Sequence, residues 1–239
     1  MVLLKFWIYH RKTNLYSIFA TIVLGRIYHM ILKDIQVEFR QGYAIAGIFL
    51  FAATTVFIVF KSFNKFTALE WSLLLWIIVL FAGVNAIVKS FIQEGNDTNM
   101  YYYTLFDPLE LIISKYIYNF FLLLILFIAI TSLMFLFGGN PIKDMTLFIE
   151  GSLLGITGIS AVFTLVSGIA GAGSNVSTLM SILALPLVLP ILLTLIRITA
   201  VSCRLIEDTS ISNDLYLLGG MDGILIGMGI LLFPIIWKS

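Results

Sequence analysis

Cysteine, histidine and charge are what this sequence has least of. Cys203 is the only cysteine, so neither an intrachain disulfide nor a thiolate metal cluster can be built within one chain. His10 and His29 are the only histidines, and both precede the apolar bulk of the chain, which leaves that bulk without imidazole ligands. Charged residues make up 11% of the sequence, and 14 Lys plus Arg against 13 Asp plus Glu leave a net charge of +1. Such a balance generates no basic field for nucleic acid, so no nucleic-acid partner is expected. The phosphate-loop pattern G-x-x-x-x-G-K-[ST] is missing, so nucleotide hydrolysis is not expected in this chain. HExxH and GxSxG are missing too, and the adjacent pair Glu207 and Asp208 reads as a solvated turn. No catalytic residue is assigned, no metal site is assigned, and the chain is not expected to be an enzyme.

What is present is hydrocarbon: 60% of 239 residues are hydrophobic, with a mean hydropathy of +1.06. A bilayer crossing takes about 20 apolar residues, so this length has room for roughly six crossings and no sizeable soluble domain. Six apolar runs stand out: Tyr43 to Phe60, Trp71 to Phe91, Tyr116 to Phe137, Leu147 to Ala170, Thr178 to Ile196 and Leu215 to Trp237. Backbone polar groups in lipid must be satisfied within the segment, and none of these runs alternates with period two. The expected fold is an all-α integral membrane protein with six transmembrane helices.

Ahead of the first run, Met30 to Gln41 sets Ile31, Ile35, Val37 and Phe39 against Lys33, Asp34, Glu38 and Arg40, which suits an amphipathic helix in the interface. Residues 1–29 read as an N-terminal extension, with Met30 an alternative start, and residues 30–239 as one membrane domain. Gly25, Arg26 and Ile27 offer no small-x-small cleavage site for a signal peptide. With a cytoplasmic amino terminus, Lys33, Arg40, Lys89, Lys115 and Lys238 fall inside and Lys61, Lys65, Lys143, Arg197 and Arg204 outside, a tie. Lys5, Arg11, Lys12 and Arg26 tip it toward that orientation.

Four features invite a functional reading. The loop from residue 92 to 114 places Glu94, Asp97, Asp107 and Glu110 around Tyr101, Tyr102, Tyr103 and Phe106. Thr98 or Asn99 can cap a short helix through Leu105, and Asp107-Pro108 marks a stop before the next span. Tyrosines there suit a protein interface or a headgroup-level aromatic belt. Gly151, Gly155 and Gly158 in the fourth run, and Gly219, Gly223 and Gly227 four apart in the sixth, suit close helix packing. Pro186 and Pro190 share a face of the fifth run and should kink or hinge it. Asp222 is an acid inside the sixth run, either a hydrogen-bonded structural carboxylate or part of a proton relay.

From Met30 onward the sequence resembles heme exporter protein B, the CcmB family of cytochrome c maturation. The resemblance rests on LLLWIIVLFAGVNAIVKSFIQE at Leu73 to Glu94, DPLELIISK at Asp107 to Lys115, the glycine-rich fourth run leading into ALPLVLPILL at Ala184 to Leu193, and LFPIIWK at Leu232 to Lys238. GNDTNMYYYTLFDP departs from the usual Gly-Thr-Leu-Glu followed by leucines and Ser-Pro. The resemblance implies an ABC-type permease subunit in the bacterial inner membrane with both termini cytoplasmic. It implies a separate CcmA-like ATPase that binds the ATP and docks on the loop between the second and third spans. By position, Glu94, Thr98, Tyr101, Tyr102, Leu105, Asp107 and Pro108 would form that coupling surface. It further implies CcmC-like and CcmE-like heme-handling partners, with heme as a handled or exported substrate rather than a cofactor of this chain. With both histidines ahead of the spans, bis-His heme capture within the bundle is excluded by inventory. The Trp-rich heme-handling motif of CcmC is missing, although Trp71 and Trp76 are present. A generic ABC-2 exporter of lipid-linked glycan or drug shares this topology, and a non-transporting membrane scaffold is the reading outside transport.

Overall fold

The computed structural model describes residues 23–38, 40, 42–62, 67–92, 107–170, 176–204 and 211–236. These form α1 (residues 23–38), α2 (Gly42–Ser62), α3 (Ala68–Ile92), α4 (Pro108–Gly138), α5 (Met145–Ala170), α6 (Val176–Ser202) and α7 (Ile211–Ile236), with no strand among the described residues. Stretches within α3 to α7 are long and apolar enough to cross a membrane, and α2 carries a shorter apolar stretch, Ala46–Ser62. The chain is an all-α integral membrane protein. Each expected run lies in one of these helices except for Trp237, which is outside the described residues. The largest extension is in α4, which starts eight residues before Tyr116. The amphipathic segment belongs to a helix that already includes residues 23–29.

Helix ends follow local chemistry. Thr67 and Glu70 form a capping box: the Thr67 backbone N–H donates to Glu70 Oε2 at 2.8 Å, and the Glu70 N–H donates to Thr67 Oγ1 at 3.3 Å. Asp144 caps α5 by accepting the Leu147 N–H at 3.1 Å. Beyond α4, Gly139 takes φ 74°, a conformation that favours glycine, and its N–H bonds back to the Phe135 carbonyl at 3.0 Å.

The centre of the bundle is α5, whose apolar span is 72% buried against 22% for α7 at the periphery. It packs chiefly on α6 and α7, and also on α4, while α3 packs on α6 and α4. Lipid tails are as apolar as these side chains, so the helices associate through fit rather than through escape from water. Glycine supplies the fit: a Cβ on Gly151 would lie 2.5 Å from Ile198 Cγ2, and one on Gly155 would press into Leu195 of α6. Across α3, α4 and α5 the fit is aromatic. Trp71 stacks on Phe135 at 5.6 Å and 9°, Trp76 stacks on Phe127 at 5.6 Å and 22°, and Phe148 leans on both Trp71 and Phe127. Both tryptophans are buried, and Trp76 Nε1 donates to Thr199 Oγ1 of α6 at 2.9 Å. Trp76→Phe, which keeps a ring on Phe127 but drops that donor, is expected to cost about 1 kcal/mol. Trp76→Ala is expected to cost about 3–5 kcal/mol. Thermal unfolding of the purified protein checks both.

Along one flank, α1 and α2 follow α4 in the same sense. Contacts between them join residues separated by a nearly constant 80 to 84 positions: Arg26 with Glu110, Met30 with Ser114, Asp34 with Lys115, Glu38 with Tyr118, and Phe57 with Phe137. At about 1.5 Å per residue, α4 is roughly 46 Å long against a hydrocarbon core of about 30 Å. A turn or more of α4 therefore stands outside the hydrocarbon, and the polar contacts place α1 beside its first turns.

Candidate functional site

The loop end of α4 is set by Asp107-Pro108. Pro108 occupies the first turn, where a missing N–H leaves no bond unmade. Asp107 is extended at φ −74° and ψ 135°; its carbonyl accepts the Leu111 N–H at 3.2 Å, while its carboxylate makes no capping bond and is exposed. Of the expected coupling residues, Glu94, Thr98, Tyr101, Tyr102 and Leu105 lie outside the described residues; Asp107 and Pro108 lie at this end.

Directly beyond it comes a polar ladder to α1. Lys115 Nζ lies 3.0 Å from Asp34 Oδ2, with both side chains about 5% exposed, and Lys33 Nζ approaches Asp34 Oδ1 at 3.0 Å. The Tyr118 hydroxyl donates to Glu38 Oε2 at 3.1 Å, and both residues are buried. Ser114 Oγ lies 3.4 Å from Met30 Sδ. Arg26 reaches Glu110 at 3.6 Å, but Arg26 is half exposed and this outer contact contributes little. The sequence pattern suits a helix lying in the interface, with Ile31, Ile35, Val37 and Phe39 set against Lys33, Asp34, Glu38 and Arg40. The structure instead turns Ile27, Met30, Asp34 and Glu38 to the protein and leaves Ile35 and Val37 exposed. A signal for this was in the spacing: Met30, Asp34 and Glu38 recur every four residues, as do Glu110, Ser114 and Tyr118 on α4.

The second polar locus is in mid-bundle. Because α7 starts at Ile211 rather than near Asp214, Asp222 lies about 16 Å along it, close to the middle of the helix. It is 4% exposed, and neither carboxylate oxygen has a hydrogen-bond partner. The space for it is made by Gly158 of α5, where any Cβ would collide with Asp222 Oδ1. Tyr116 of α4 stands beside the same turn of α5, its hydroxyl donating to the Thr157 carbonyl at 2.9 Å.

The remaining small and helix-breaking residues divide by environment. Gly151, Gly155 and Gly158 meet α6 and α7 as described, whereas a Cβ on Gly219, Gly223 or Gly227 would meet nothing within 4 Å. α6 continues unbroken through Pro186 and Pro190, both of which face outward. A cleft between α4, α5 and α7, lined by Ile113, Tyr116, Leu165, Leu225 and Ile230 among others, has a volume of about 210 Å³. That is below the roughly 300 Å³ at which pockets for drug-sized ligands begin. Among the described residues, no group of three or more His, Cys, Asp or Glu could hold a metal ion.

The comparison with curated proteins gives no match. The sequence model of the family described as CcmB protein matches residues 25–234, taking in every described helix except two residues at each end of the described chain. The chain belongs to the CcmB family, that of heme exporter protein B.

Proposed function

We propose that this chain is the permease subunit of an ABC-type complex, in which it passes the nucleotide cycle of a partner ATPase to the membrane step of cytochrome c maturation. Membership in the family makes it a membrane component of the heme exporter and cytochrome c maturation system. In the finer reading, a CcmA-like ATPase binds the ATP and docks on the loop from residue 92 to 114, with Glu94, Thr98, Tyr101, Tyr102, Leu105, Asp107 and Pro108 at the contact. CcmC-like and CcmE-like proteins handle the heme, this chain holds no cofactor, and the complex lies in the bacterial inner membrane with both termini cytoplasmic. Pro186 and Pro190 hinge α6 as the bundle responds.

The observation that carries this reading is the ladder between α1 and the loop end of α4. A push on the segment before Pro108 acts on the first turns of α4, and the buried Asp34 to Lys115 contact makes α1 move with them. Because α1 leads into α2, displacement at the loop reaches two helices at once. Burial of Trp71 and Trp76 in the core removes them as a heme platform, which supports a mechanical role over one of carrying heme.

Co-purification from the native membrane tests it. The wild-type chain should bring down an ATPase together with heme-maturation proteins. The variant carrying Tyr101→Ala, Tyr102→Ala and Asp107→Ala should keep the maturation proteins and lose most of the ATPase. Recovery of neither class with the wild type would sink the reading.

A further inference from the structure

We propose that Asp222 is the binding residue of an intramembrane site for a single positive charge, a proton or an alkali cation, enclosed by α4, α5 and α7. A carboxylate withdrawn from water costs several kcal/mol unless a charge or a set of donors replaces its hydration. Asp222 is 4% exposed in mid-helix with both oxygens unpartnered, whereas three other acids among the described residues have partners. Asp34 has Lys33 and Lys115, Glu38 has the Tyr118 hydroxyl, and Asp214 has Arg197 at 3.2 Å.

The groups facing Asp222 do not supply the missing charge. From α4 comes Tyr116, whose hydroxyl donates to the Thr157 carbonyl; the next residue, Lys115, is held at 3.0 Å by Asp34. From α5 come Gly158 and the neighbouring Thr157 and Ser160, the Ser160 hydroxyl also donating to the Thr157 carbonyl at 2.9 Å. From α6 comes Ile191, which packs on Gly158. On α7 the nearest charge is Asp214, two turns back. The polar groups on the neighbouring turns, the Thr157 carbonyl and the Tyr116 and Ser160 hydroxyls, bond to one another and none bonds to Asp222, so the charge the carboxylate needs must come from a proton or a small hard cation, the kind that oxygen groups hold. Gly158 adds an independent sign of construction, since any side chain there would occupy the carboxylate's place.

The site goes beyond the permease reading and does not depend on it. Its test uses the full chain in lipid nanodiscs, with no partner present. Infrared difference spectra between low and high pH should contain a protonated-carboxyl carbonyl band that shifts in D₂O and disappears in Asp222→Asn, which identifies the proton. Alternatively, thermal unfolding in Na⁺ or K⁺ against N-methylglucamine at constant ionic strength should show stabilisation by the alkali ion that Asp222→Asn abolishes. Asp222→Glu guards against misfolding, since it should move the band or retain the ion effect, and Gly158→Ala, whose Cβ would take the carboxylate's place, should shift the band or weaken the ion effect. A wild-type protein with neither an Asp222-dependent carboxyl band nor an Asp222-dependent ion effect overturns the proposal.

Discussion

Lys115→Met is expected to lower the thermal unfolding midpoint of the purified protein by about 6–12 °C, the equivalent of about 3 kcal/mol for a chain of this size. The ammonium is buried, as is its partner Asp34 at 3.0 Å. Removing one member of a buried pair costs more than the pair contributes, because the other charge keeps its desolvation penalty without the compensating attraction. Lys33 softens the loss, since it also reaches Asp34, but it does so from a side chain 36% exposed. The paired variant Asp34→Leu, Lys115→Met tests the explanation. Replacing both charges with apolar groups should recover most of the midpoint, since a well-packed apolar pair is often neutral or stabilising relative to a buried ion pair. If the ladder transmits motion, the same paired variant should fold yet show less ATPase stimulation in the assembled complex. A single variant no less stable than wild type would mean that the Asp34 to Lys115 contact does not hold α1 to α4.

The ladder also marks where the sequence stopped being informative. Apolar runs longer than a bilayer is thick announce helices whatever their neighbours, so the membrane helices could be read from composition and length. The ends were partly legible: Thr67 with Glu70 is a capping pattern visible in the sequence, and Asp107-Pro108 was read as a boundary. Orientation of a face is a different matter. An amphipathic segment beside lipid can turn its charges to water or to a neighbouring helix, and only the partner decides. Asp34 and Glu38 became interior because Lys115 and Tyr118 wait for them on a helix some 80 residues away. Asp222 was legible as an anomaly, but neither its depth nor its isolation was, because both depend on where α7 begins and on what α4, α5 and α6 present to it.

Gly155→Leu and Gly223→Leu should give opposite results from the same kind of pattern. Both glycines stand in stretches where small residues recur at helical spacing, and by sequence they carry the same expectation of close packing. At Gly155 a Cβ already overlaps Leu195, with Leu195 Cγ only 2.9 Å away, so a leucine must push α5 and α6 apart. Overpacking of this kind typically costs about 1–3 kcal/mol, and it falls on the helix that carries most of the bundle's packing. At Gly223 the built Cβ meets nothing within 4 Å and the residue is exposed. A leucine there should change the stability of the isolated chain by no more than about 0.5 kcal/mol, with any gain in helix propensity acting in its favour. Expression level and thermal midpoint in one lipid or detergent environment compare the two directly. Loss of folded protein with Gly223→Leu and not with Gly155→Leu would invert the assignment of α5 as the packed centre and α7 as the periphery. The expected order would confirm that the α5 glycines serve contacts inside the chain, whereas those of α7 leave a smooth outer face.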